Sequence, residues 1–169
     1  SAALLGSFNI GEAPWSVYTQ SVKDSIAAYG DAAIVTISRI GGEGADADFD
    51  YLQLDQNEKD MLAAAAQMKA EGKVKSIIML LNTSNPLQVD FLKNNEYTID
   101  ACLWIGGVGI TGINAVADII AGDINPSGGL VDTYCYDNYS SLAMKNGVPT
   151  TYAGDTSLIP SDAATYIIY

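Results

Sequence analysis

The chain has 169 residues, 49% of them hydrophobic and 17% charged, which suits one domain of ordinary size with its own core and is too apolar for disorder. A net charge of −12 with only 8 Lys and Arg repels phosphate backbones, so nucleic acid is not an expected partner. There is no histidine, which excludes Ser-His-Asp and Cys-His catalysis and imidazole metal sites within this chain.

No apolar run approaches the length needed to cross a bilayer, and the start lacks a basic segment followed by an apolar one. No membrane partner is therefore expected, and a cytoplasmic location is favoured over a secreted one. The opening Ser-Ala-Ala need not be a native terminus. Cys102 and Cys135 lie in apolar or aromatic surroundings (ACLW, TYCYD) and read as two buried free thiols.

Trp15 and Tyr18 fall in a loop-like stretch, and the amphipathic piece 18–29 leads to the first strand. Residues 32–38 form a short apolar run rich in β-branched residues, the pattern of a buried strand. It ends in Arg39 and opens into a loop where Gly42 and Gly44 flank one carboxylate, Glu43. Glycines on both sides give that backbone freedom and leave little bulk around the carboxylate. Loops at the carboxyl ends of such strands are where ligands meet open α/β sheets. Residues 56–71 (QNEKDMLAAAAQMKAE) are rich in helix formers, with Asp55 placed as N-cap and Gly72 as stop. A second strand is predicted over 74–81, a turn over 82–86, a short helix over 87–94 and a third strand over 99–105. A helix from about 113 to 121, a turn over 122–129 and a strand over 130–136 follow. Beyond Asp137 the chain is polar and irregular, and its last four residues read as a strand or linker cut short. Strand–helix alternation with near-continuous apolar strands implies an α/β fold, a mostly parallel sheet sandwiched between helices.

Three local patterns have ordinary explanations. Residues 107–112 (GVGITG) form a GxGxxG that follows a strand and opens a helix, with Asp132 about twenty residues on. This dinucleotide signature follows the third strand rather than the first, and close helix–sheet packing or the approach of another ligand explains its glycines as well. Asp46, Asp48 and Asp50 have the spacing that opens a calcium loop, yet Tyr51 stands where the turn needs glycine and Asn57 where the bidentate glutamate belongs. A solvated acidic loop is the simpler reading, and no metal or cofactor is expected. Trp15, Trp104 and Tyr51 are aromatic faces that could stack on a ligand, but Trp104 sits in an apolar strand and reads as core.

The succession of GEG-x-D, L-x-Q, LLNxSNP, G-x-x-AxADI-x-x-G and NPSG, in order from about Asp31 to Tyr136, resembles glycoside hydrolase family 3. More narrowly, it is similar to the C-terminal α/β sandwich domain of the family's β-glucosidases. The resemblance implies hydrolysis of terminal β-glycosides with retention of configuration. The nucleophile would be an aspartate on a separate (β/α)8-type barrel domain, and the general acid/base the glutamate of the GEG-x-D segment, here Glu43. Retention needs two carboxyl groups about 5–5.5 Å apart. The partners implied are a β-glycoside or oligosaccharide substrate and the barrel domain, which no segment of this chain resembles. The isolated chain is then a single domain, expected to be a fragment and inactive alone. Arg39 and Asp46 are the candidate supports of the loop: Arg39 through nearby carbonyls or Asp46, or else engaged in a plain surface ion pair. Ala47 and Gly129 depart from the family's usual residues and put the loop's anchoring and an interdomain contact in question. Two other readings stand beside this one: a non-catalytic scaffold or carbohydrate-binding module, and a dinucleotide-binding domain.

Overall fold

The computed structural model describes residues 11–40 and 49–140. Three parallel strands, β1 (Ala32–Arg39), β2 (Ser76–Thr83) and β3 (Ala101–Trp104), lie side by side in that order. The helices are α1 (Gln20–Ala27), α2 (Gln56–Ala70), the single turn α3 (Asp90–Lys93) and α4 (Gly109–Ala121). The α/β class with a parallel sheet is thus as expected. Among the described residues no helix is long and apolar enough to cross a membrane.

Register explains the core. Val35 pairs with Met79 and Ile37 with Leu81, while Met79 and Leu81 pair in turn with Cys102 and Trp104. Partners in a parallel ladder point to the same side, so one face of the sheet is an apolar row. Leu62 and Ala65 of α2 pack on it, together with Leu54, Leu87, Val89, Phe91 and Ile99. Burying a side chain of this size stabilises by roughly 1.5–3 kcal/mol, so this face carries most of the fold's stability. The opposite face is more open among the described residues: Leu80 is buried, but Ile34 is 51% exposed.

Helix α2 starts and stops where the sequence places it. The Asp55 carboxylate accepts from Glu58 N (2.8 Å), and Glu58 Oε2 accepts from Asp55 N (2.8 Å), a complete capping box. Gly72 leaves the helix at φ 72°. Gly30 is fixed by close approach: a Cβ there would lie 2.3 Å from the Lys73 carbonyl oxygen. That contact joins the turns that lead into β1 and β2, where Lys75 N donates to Gly30 O (2.9 Å).

Three expectations are corrected. Residues 130–136 are not a strand. Leu130 and Val131 are exposed, Asp132 bonds the adjacent Thr133 N, and only Tyr134 packs against the core. Helix α4 begins at Gly109 rather than near 113, because Gly109 (φ 61°) can enter the helix from a left-handed conformation. The two cysteines are free, as expected, but not buried: Cys102 is exposed and Cys135 half-buried.

Candidate functional site

Parallel strands bring all their carboxyl ends to one edge of the sheet, and the segment carrying Glu43 leaves from there. Glu43 and Asp46 themselves lie outside the described residues. What the structure does describe is the chain on either side of the 41–48 segment.

Arg39 closes β1, and its side chain is only 8% exposed. All five guanidinium donors find acceptors. Nη1 and Nη2 meet Glu58 Oε1 and Oε2 in a two-pronged pair at 2.6 and 2.7 Å. Nη1 also donates to Ser38 O (2.8 Å), Nη2 to Gln53 O (2.6 Å) and Nε to Tyr51 O (2.6 Å). Burial works against the charge, but the Glu58 carboxylate more than offsets it and holds the guanidinium above its usual range. Arg39 thus bonds the backbone carbonyls of Ser38, Tyr51 and Gln53. Its ion pair is buried rather than on the surface, and the partner is Glu58.

Tyr51 completes this arrangement from the other side. It lies in a short 3-10 turn, Phe49–Leu52, that begins just after the 41–48 segment. Its hydroxyl accepts from Ile40 N (2.5 Å) and donates to Ile40 O (3.0 Å). Its ring stands 5.4 Å from the Arg39 guanidinium carbon. The chain entering the segment and the chain leaving it are therefore tied to each other. Sequence reading missed Glu58 and this use of Tyr51. The D-x-x-E spacing that marks a capping box gave the only local sign of Glu58.

The neighbouring strand ends are stitched as well. Asn82 Oδ1 accepts from Ser38 Oγ (3.3 Å), and Asn82 Nδ2 donates to Gly106 O, so one side chain joins the ends of β1 and β2 to the chain just after β3. Trp104 Nε1 donates to Thr83 O (2.8 Å), and the indole packs against the core, in line with its reading as a core residue. Gly106 (φ 55°) has the Trp104 ring 3.0 Å from where a Cβ would be, whereas nothing lies near Gly107. Gly106 lies just before the 107–112 run. Within that run Gly107 and Gly109 have open space where a Cβ would be and Gly112 has Val108 Cβ at 3.3 Å, so close packing does not explain Gly107 and Gly109. Beside Trp104, an apolar pocket of about 200 Å³ is lined by Leu81, Val89, Leu92, Cys102, Tyr134 and their neighbours. Cys102 lies at its surface, and the apolar surroundings push its thiol up to about 11. Trp15 lies apart, against Tyr18 at 5.0 Å and under the Lys23 ammonium at 4.9 Å. Among the described residues no cluster of His, Cys, Asp and Glu could hold a metal ion.

Comparison with known proteins places this framework. Residues 16–158 match the model of the glycosyl hydrolase family 3 C-terminal domain. Similar proteins include a probable β-D-xylosidase 6 of Arabidopsis thaliana, 35% identical over 104 residues, covering 62% of this chain and 12% of the relative. A β-glucosidase of Ruminococcus albus is 31% identical over 143 residues, covering 80% of this chain and 14% of the relative. Among solved structures, β-glucosidase 3B from Thermotoga neapolitana in complex with glycerol aligns with a TM-score of 0.63 at 29% identity, over 75% of this chain and 18% of that one. A β-glucosidase from Paenibacillus barengoltzii aligns with a TM-score of 0.62 at 25% identity, over 79% of this chain and 15% of that one. The chain thus spans only a small part of the proteins it matches. It belongs to glycoside hydrolase family 3, as a C-terminal α/β domain of that family.

Proposed function

We propose that this domain lends Glu43 as the general acid/base to a cleft shared with a barrel domain that carries the aspartate nucleophile, in an enzyme that removes terminal β-glycosyl groups with retention. The observation that carries this reading is the paired anchoring of the 41–48 segment by Arg39 and Tyr51 at the carboxyl edge of β1. A carboxyl group that must meet a glycosidic oxygen on another domain needs a fixed base and a reach of its own. The relatives named β-glucosidase and β-xylosidase point to a β-glucoside or β-xyloside as substrate.

In the first step, protonated Glu43 gives its proton to the glycosidic oxygen while the barrel aspartate attacks the anomeric carbon and the aglycone departs. In the second, the Glu43 carboxylate takes a proton from water as that water displaces the aspartate. Arg39, held by Glu58, positions the segment, and Asp46 is a second support. Alone, the 169-residue chain lacks the nucleophile and is inactive.

The test is the pH dependence of kcat/KM in the full-length enzyme, on an aryl β-glycoside with a poor leaving group. Wild type should lose rate on the basic side as the acid gives up its proton. Glu43→Gln should be slower by about 10²–10⁴-fold and should lack that limb. A variant with wild-type rate and an unchanged basic limb would return the domain to a scaffold role.

A further inference from the structure

We propose that Tyr51 is a positioning residue for the acid/base step, acting through the chain that precedes Glu43. This rests on the reading of Glu43 given above. The Tyr51 hydroxyl takes both the N–H (2.5 Å) and the carbonyl (3.0 Å) of Ile40, the last described residue before the 41–48 segment. The Tyr51 carbonyl is in turn held by Arg39 Nε (2.6 Å), from the residue immediately before Ile40. Each stem thus grips the other, and the ring, 5.4 Å from the guanidinium carbon, closes the gap between them. The Arg39 end cannot drift, because its side chain is buried and paired with Glu58 at the start of α2.

The arrangement has a chemical consequence. Proton donation to a glycosidic oxygen tolerates little misplacement; a shift of 1 Å costs on the order of 10²-fold. Without the hydroxyl, the Arg39 bond would still hold the exit stem, but the entry stem at Ile40 would lose both of its ties to Tyr51. The ring would remain against the guanidinium. Tyr51→Phe is therefore a clean probe, since it deletes the two bonds and keeps the packing.

The experiment measures kcat/KM in the full-length enzyme for wild type, Tyr51→Phe, Glu43→Ala and the double variant. Each is given one aryl β-glycoside with a good leaving group and one with a poor leaving group, and thermal unfolding is recorded alongside. Tyr51→Phe should lose roughly 10- to 100-fold on the poor leaving group and almost nothing on the good one. The double variant should be no slower than Glu43→Ala, because the hydroxyl acts only through that carboxyl. Equal loss on both substrates, or losses that multiply in the double variant, would overturn the proposal. So would a wild-type Tyr51→Phe beside a leaving-group-dependent Glu43→Ala, and that result leaves the Glu43 reading standing. Should Glu43→Ala itself show no leaving-group dependence, that reading fails and the Tyr51 proposal falls with it. If Tyr51→Phe does not fold, Tyr51→Trp takes its place under the same comparisons, since it also lacks the hydroxyl and keeps an aromatic face toward the Arg39 guanidinium.

Discussion

Arg39 and Glu58 show how one charged pair can serve both fold and site. Both side chains are almost wholly buried, so the attraction between them acts with little screening by solvent. Stranding either partner costs about 3–5 kcal/mol, so the pair firmly ties the end of β1 to the start of α2. Cys102 illustrates the opposite effect of an apolar setting. Cys102 is exposed as a residue, but its thiol is partly desolvated where it lines the apolar pocket, which favours the neutral form and raises its pKa to about 11. The contribution to stability is therefore present below the thiol's ordinary pKa and is lost as pH rises through the raised value. Alkylation needs the thiolate, so in a Cys135→Ser background the folded protein should react with iodoacetamide about a hundredfold more slowly at pH 8 than the urea-unfolded chain. Similar rates in both states would show that the surroundings do not suppress ionisation.

Elements whose signals are local were legible in the sequence. The apolar β-branched run of β1 and the cap and stop of α2 need only neighbouring residues to be read, and the structure reproduces them. Where the signal depends on partners far along the chain, sequence reading stopped short. Tyr51 meets Ile40 from 11 residues away, and Arg39 meets Glu58 from 19. Neither pairing has a period or a motif that announces it. The run 130–136 has strand composition but no ladder among the described residues, and composition alone cannot supply one. Gly30 belongs to the same class, since its need for a bare Cα comes from Lys73 on the other side of α2. Gly30→Ala should destabilise by about 1–3 kcal/mol, as small-to-large changes in tight contacts do. Gly107→Ala, with open space around it, should be nearly neutral. The check is urea unfolding of the two variants side by side; equal stabilities would mean that the Lys73 contact yields without cost.

At the scale of the whole molecule, the sequence made the family and fold class legible, because its motifs run in order along most of the chain. Under the proposed function, the domain's contribution to the shared cleft is the Glu43 carboxyl group. The site's geometry was much less legible, because Arg39, Glu58 and Tyr51 are brought together only by folding. Their network sets the two ends of the 41–48 segment at the carboxyl edge of the sheet, where a ligand approaching an α/β domain would meet it. The Glu43 assignment is tested most directly by rescue of Glu43→Ala with azide in the full-length enzyme. On an aryl β-glycoside with a good leaving group, the variant should form the glycosyl-enzyme normally but release it slowly. Azide should then raise kcat and yield the β-glycosyl azide, because a charged nucleophile needs no base. On a poor leaving group kcat/KM should stay low, with a deficit of about 10²–10⁴-fold. A Glu43→Ala enzyme that matches wild type on both substrates and makes no glycosyl azide would contradict the account.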